Sequence, residues 1–322
     1  MTQLTGKFSG IDKVGQNLLN NQLESNIKSF LDWGFLNAGG FNNVYINTKN
    51  INNNALYKCY LVEDPNYNNG QVWQTPRKDW VYETGITTID NLSPISISGI
   101  YINNTFYNIN TSGTYAYTLD YENSRIIFNN KISTNANISM NYSYRWAQIY
   151  NYADAEWWQE IQYSTDSNVT HMTEKNQGDF AINPKHRVQL PAIVIETVAR
   201  GTAKPFKIGN QSLIIEQDFL LHILAENIFD RNNITDILRL QQDRVLVFYD
   251  INKVVNSGVY PIGFNGALNS SRLQYNQLIN NTEYVWNTCR LKNMVLSEVE
   301  SLNSELFECN IRVTAEIIFD TL

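Results

Sequence analysis

The feature that most constrains this 322-residue chain lies near its C-terminal end. From Leu306 to Phe319, the apolar residues Cys309, Ile311, Val313, Ala315, Ile317 and Phe319 alternate with Asn310, Arg312, Thr314 and Glu316. A period of two over that length demands a long strand with one covered face and one polar face. Such a strand needs partners of similar reach. Residues 284–298 and 212–226 supply them, and in the latter Phe219, Leu221, Ile223 and Ala225 share a face. Residues 190–196 and 244–249 read as further strands. A helix is expected around Ile234, Ile237, Leu238 and Gln241, capped by Asp230, Asn232 or Asn233. A shorter helix is expected over 271–279. The resulting order, β-β-α-β-(α)-β-β, predicts an α+β unit over residues 188–322, with a mostly antiparallel sheet and helices on one face.

The rest of the chain has a different texture. Residues 1–40 form an N-terminal helical segment, with Leu18, Leu19, Leu23, Ile27, Phe30 and Leu31 at three- and four-residue spacing. Its stripe packs on its own domain or docks on a neighbouring subunit. Gly39 and Gly40 end it. Residues 41–165 read as a β-rich, sandwich-like domain with a turn about every ten residues. Asn103-Asn104 centres one hairpin, because asparagine tolerates the positive φ of a tight turn. A second hairpin turns through Glu122-Asn123-Ser124, and Ile138, Met140, Tyr142 and Tyr144 share one face of a later strand. Residues 153–163 suit either a strand or a short helix. The stretch 166–187 reads as a linker or a long functional loop.

Composition narrows the function. The net charge of -7 and pI of about 5.1 argue against a simple nucleic-acid binder, which gains affinity by neutralising phosphates. Charged residues are only 17% of the chain, and 45 asparagines cover surface that charges normally would. No run of 18 apolar residues suggests a membrane span, and no apolar core near Met1 suggests a secretory signal. Cys59, Cys289 and Cys309 are too far apart in sequence to suggest a disulfide framework, so a reducing cytosol is expected. Asn-x-Ser/Thr triplets then follow from composition and not from glycosylation.

The usual chemical signatures are missing. His171, His186 and His222 do not fall at metal-ligand spacings, and His222 reads as a half-exposed strand histidine. No phosphate-cradling glycine loop or nucleophile elbow is present. Asp154 and Glu156 beside Trp157 and Trp158 are the most catalytic-looking group, yet their spacing suits a solvated face better. Asp243 and Asp250 bracket a strand and read as capping or turn residues. The chain is therefore expected to have no catalytic residue, no cofactor and no metal. The Tyr- and Asn-rich stripe Tyr142, Tyr144, Trp146, Tyr150 and Tyr152 suits a glycan- or protein-binding surface or a filled core.

Four segments carry a resemblance. Pro191-Ala-Ile-Val-Ile-Glu196, Leu221-His-Ile-Leu-Ala-Glu226, Arg231-Asn-Asn-Ile-Thr-Asp-Ile-Leu238 and Tyr249-Asp-Ile-Asn252 resemble virion proteins of tailed bacteriophages. Their order is similar to that of tail-terminator, tail-completion and neck proteins, over roughly residues 188–320. Residues Tyr115 to Tyr121, Arg125 to Phe128 and Tyr142 to Trp146 look like β-modules of phage structural proteins. The resemblance implies a late structural protein, assembled in the host cytoplasm into the virion. It implies a homo-oligomer, a hexameric ring joining the tail tube or sheath to the head connector and touching other tail and neck proteins. DNA would pass such a ring without specific binding, and no membrane is involved. Two loops are the candidate contacts with neighbouring subunits or the lumen. Loop 199–211 offers Arg200, Lys204 and Lys207, and loop 253–271 offers Asn256 and Asn265. The alternative is a phage adhesin or baseplate-type module that recognises glycan or protein.

Overall fold

The computed structural model describes residues 14, 18–46, 55–163, 173–176, 179–181, 187–206, 212–303 and 306–319. The fold is α+β, built round one six-stranded sheet. Its strands are β1 (Gln148–Asn151), β2 (Ala192–Pro205), β3 (Leu213–Ala225), β4 (Val245–Tyr249), β5 (Val285–Asn303) and β6 (Leu306–Phe319). They lie in the order β1-β2-β3-β6-β5-β4, antiparallel throughout except for the parallel pair β1–β2.

Register makes the two faces. Phe219 lies opposite Val313, Leu221 opposite Ile311 and Ile223 opposite Cys309. Ile193 and Ile195 continue the same face on β2. Helix α1 (Leu19–Asn37) and helix α3 (Ile228–Arg239) cover it. Leu23, Ile27, Phe30, Leu31 and Phe35 of α1 and Ile234 and Leu238 of α3 share its core. Between them in sequence, α2 (Glu156–Tyr163) covers one end of the opposite face, where Trp157 and Trp158 pack on Ala192, Val194 and Leu224. This settles residues 153–163 as helix beyond Glu156.

Two local expectations need correction. The cap of α3 is Asn227, whose side chain accepts from the Asp230 amide at 2.8 Å, so Asp230, Asn232 and Asn233 lie inside the helix. The strand after Pro191 does not end at 196. It runs to Pro205 through a register shift between Thr197 and Gly201, so most of the expected loop 199–211 is strand. The C-terminal end of α1 behaves as its glycines require. Gly39 has φ +88°, and a Cβ on Gly40 would lie 2.8 Å from the Phe35 carbonyl oxygen.

Polar side chains fasten α1 to the rim of the sheet. Buried Asn26 pairs with the Tyr249 backbone in both directions, at 2.9 Å as donor and 2.8 Å as acceptor. One helical amide thereby completes hydrogen bonds that a neighbouring strand would make. Gln22 does the same for the Ile251 amide at 3.0 Å, where α4 (Ile251–Asn256) begins under an Asp250 cap.

The β-rich segment lies between α1 and β1. A four-stranded and a three-stranded sheet share a core that includes Trp73, Ile100, Ile126, Phe128, Ile138, Met140 and Tyr142. Both expected hairpins form. Asn103 and Asn104 have φ of 49° and 68°, the pair of positive values a type I′ turn needs. Tyr142 and Tyr144 are buried, so the aromatic stripe is here a core. A short pairing of Phe41–Val44 with Tyr142–Arg145 closes the segment.

Arg145 joins this segment to α1. Its side chain is 6% exposed and reaches Asp79 at 3.1 Å, Glu83, and the Trp80 carbonyl at 2.8 Å. Asp32 of α1 lies 3.7 Å from its Nε. Removing one partner from a buried ionic cluster leaves the others uncompensated. Arg145→Met is therefore expected to lower the unfolding free energy by about 3–5 kcal/mol in denaturant melts. A loss below about 1 kcal/mol, the range of exposed pairs, would contradict this role.

Candidate assembly surface

The polar face of the sheet is a ladder of paired charges. On β3 and β6, Asp218 accepts from Thr314 Oγ1 at 2.7 Å and from Arg312 Nε at 3.0 Å. Arg200 of β2 approaches the same carboxylate at 3.7 Å. One step along, Lys292 of β5 reaches Glu316 at 2.7 Å and Glu216 at 3.2 Å. These contacts hold the Asp218 carboxyl below the usual carboxylate range, with the hydrogen bonds from Thr314 and Arg312 and the Arg312 charge overcoming the opposing effect of burial. The Lys292 hydrogen bond likewise lowers the Glu216 carboxyl.

His222 extends the ladder under α2. It is 3% exposed, which overturns the half-exposed reading. A histidine on the polar side of a strand is half-exposed only if nothing covers that side, and Trp158 does, with ring centroids 5.0 Å apart. Its Nδ1 faces Asn310 Oδ1 at 2.7 Å and its Nε2 faces Glu196 Oε2 at 2.7 Å, with Glu308 3.7 Å from Nδ1. Burial opposes the charged ring, but the hydrogen bonds to Glu308 and Glu196 and the Glu196 charge prevail and raise its pKa. Oxygens at both nitrogens favour the protonated ring.

The sheet leaves two edges without a strand partner among the described residues. β1 pairs only with Ala192 to Ile195 of β2, so β2 is open on that side from Glu196 onward. β4 pairs with β5 from Val285 to Arg290, so β5 is open beyond Leu291. Register shifts interrupt β5 between Lys292 and Val295 and between Leu296 and Glu298, and Asn293 has φ 52°. Such bulges are one way proteins blunt an exposed edge. Val295 is exposed on this stretch, and Phe206 just beyond β2.

The expected contact residues fall in two places. Arg200 and Lys204 are exposed on the open length of β2, Arg200 with its side chain 73% exposed; Lys207 lies outside the described residues. Asn256 and Asn265 are also exposed but apart from them. Asn256 ends α4, and Asn265 is in a tight turn closed by the Ile262–Leu268 bridge. Stretch 253–271 is thus partly helix and hairpin, with Asn265 Oδ1 accepting from the Ala267 amide at 3.2 Å. Gly266 at φ +75° docks this turn on the β-rich segment, its carbonyl accepting from the Tyr121 amide at 2.8 Å. The neighbouring Phe264 is fully exposed. The structure does not bring Asp154 and Glu156 into one cleft with the two tryptophans: both indoles are buried and both carboxyls exposed.

Sequence reasoning missed the His222–Glu196–Glu308 group and the Arg145 cluster. The signal for the first was present in the alternation itself, which puts Glu308, Asn310 and Arg312 on one side. The second joins residues 113 positions apart in sequence, from Asp32 to Arg145, and has no local signature.

No family model matches the chain, and no curated protein matches it significantly. Among the described residues no group of three or more His, Cys, Asp or Glu side chains could hold a metal ion. No helix there is long and apolar enough to cross a membrane.

The His222 geometry sets a pH dependence. The folded pKa is raised above the ordinary 6.5, so its stabilisation is complete below about pH 6.5 and is lost as pH rises through the folded value. His222→Gln is expected to flatten the fall in melting temperature as pH rises above about 6.5. Parallel melting curves for the two proteins across that range would show that the imidazolium does not carry this stability.

Proposed function

We propose that the chain is a structural subunit that packs against copies of itself and adjoining proteins, as tail-terminator and neck proteins of tailed phages do. The observation that carries this reading is the pair of open edges on opposite sides of one sheet. A strand edge is a row of unpaired amides and carbonyls that another chain can complete. Two different edges, β2 on one side and β5 on the other, allow head-to-tail contacts, and such contacts close into a ring when the rotation per subunit permits. Exposed Phe264, Phe229, Leu240 and Val245 support the same reading, because they place apolar area on an otherwise amide-rich surface. The polar ladder is nearly balanced: Glu196, Asp218, Glu216, Glu308 and Glu316 meet His222, Arg200, Arg312 and Lys292. Its self-pairing suits a surface that meets neighbours without drawing nucleic acid to it.

Native mass spectrometry and negative-stain images test the proposal. The expected result is a closed ring of about six copies. Arg200→Ala with Lys204→Ala is expected to weaken assembly by about 5-fold to 10-fold at low salt and by less at high salt. A chain that remains a monomer at all accessible concentrations, alone and with tail or neck components, would overturn it.

A further inference from the structure

A second feature lies away from the sheet edges and does not depend on the assembly reading. A cavity of about 220 Å³ opens where α1, the β-rich segment, the end of β1 and the turn after α4 meet. Its walls carry the carboxyl groups of Asp32, Glu83 and Asp154 and the rings of Tyr82, Tyr249 and Tyr260. Buried phenols stay protonated: burial raises Tyr82 and Tyr249 well above the ordinary tyrosine range. The rings therefore offer neutral π faces and hydroxyls beside acids.

Charge around the cavity is not balanced. Asp32 faces Lys28 on its own helix, Arg145 from the strand Tyr142–Arg145, and Asp79 and Glu83 from the loop before it. Glu24 lies further along α1, and burial raises its carboxyl, with the charge of Asp154, from the turn Tyr152–Asp154 after β1, adding to the rise. On the cavity wall itself the acids Asp32, Glu83 and Asp154 stand against one ammonium, that of Lys28, with Arg145 behind them. Glu83 is engaged by Arg145 and by the Tyr82 amide at 3.1 Å. Among the described residues the ion-pair contact of Asp32 is the Arg145 Nε at 3.7 Å, beyond hydrogen-bond reach, and that Nε is buried with no hydrogen-bond partner there. Asn151, on the same wall, has a buried side-chain oxygen with no hydrogen-bond partner. Unpaired buried polar atoms cost free energy unless something completes them.

We propose that this cavity binds one organic cation, a primary ammonium or guanidinium group the size of a single side chain. Three observations select that chemistry. The carboxyls are spread over the walls and, among the described residues, do not converge as metal ligands. Tyrosine faces attract cations by their ring quadrupole. The Asp32 carboxyl, on the cavity wall, is an acceptor that matches N–H donors. A bound cation also stabilises the ionised form of Asp32, whose carboxyl burial lifts to about 7 against the pull of Arg145 and Lys28. Binding is therefore coupled to proton release, and affinity rises with pH through about 7.

Calorimetric titration of the full chain with methylguanidinium, butylammonium and neutral butyramide tests the site. Saturable binding of the cations and none of butyramide is expected, roughly tenfold tighter at pH 8 than at pH 6. Asp32→Asn is expected to abolish the pH dependence. Should that variant fail to fold, Asp154→Asn and Tyr260→Leu, both at the exposed rim, are each expected to weaken binding by about 3-fold to 5-fold with unchanged melting temperature. A Gly-Arg-Gly peptide separates the two sources of such a cation: tighter binding of the peptide assigns a partner's side chain, tighter binding of the free cation a small molecule. No saturable binding of any cation, or equal binding of butyramide, would overturn the proposal.

Discussion

The buried guanidinium of Arg145 is the contact on which the arrangement of the whole chain turns. The β-rich segment enters after α1 and leaves into β1, so its last strand must be held against the helix for the sheet to start in register. Arg145, at the end of that strand, is bound by Asp79, Glu83 and the Trp80 carbonyl and approached by Asp32 of α1. Its ring contact with Tyr82, 5.1 Å from the centroid, fills the remaining side. With three acids round it, the buried cation does not stand uncompensated. The cavity beside this cluster exists because helix, inserted segment and the turn after α4 meet there without filling the space.

The six-stranded sheet uses its two faces differently. One is an apolar core under α1 and α3, where area removed from water supplies the stabilisation. The other is a ladder of hydrogen-bonded charges that specify which side chains oppose one another. A shift of one residue would bring Phe219, Leu221 and Ile223 to that polar side, so core and ladder enforce the same register. Trp158, covering one end of the ladder, buries His222 beside Glu196 and Asn310.

The edges of that sheet are what the proposed assembly would use. β2 and β5 extend past their flanking strands, and neither is covered by another strand among the described residues. The bulges of β5 and the charges of β2 blunt those edges without closing them. A subunit built this way gains from meeting neighbours of fixed geometry, and the proposed structural role follows from that.

Much of the architecture was legible in the amino-acid order, because strand and helix periods are local. The alternation from Cys309 to Phe319, the stripe from Leu23 to Leu31 and the Asn103-Asn104 turn each depend on residues a few positions apart. Cap and strand limits were less legible: Asn227 in place of Asp230, and Pro205 in place of Glu196, were chosen by which backbone groups tertiary neighbours left to be satisfied. The candidate surface was half legible, since Arg200 and Lys204 stand out as basic residues but their place on an open strand does not. Burial of His222, the Arg145 cluster and the acidic cavity were decided only by the tertiary structure. Each joins side chains from distant segments, and charge, desolvation and enclosure are properties of what surrounds a group in space, which no local period records.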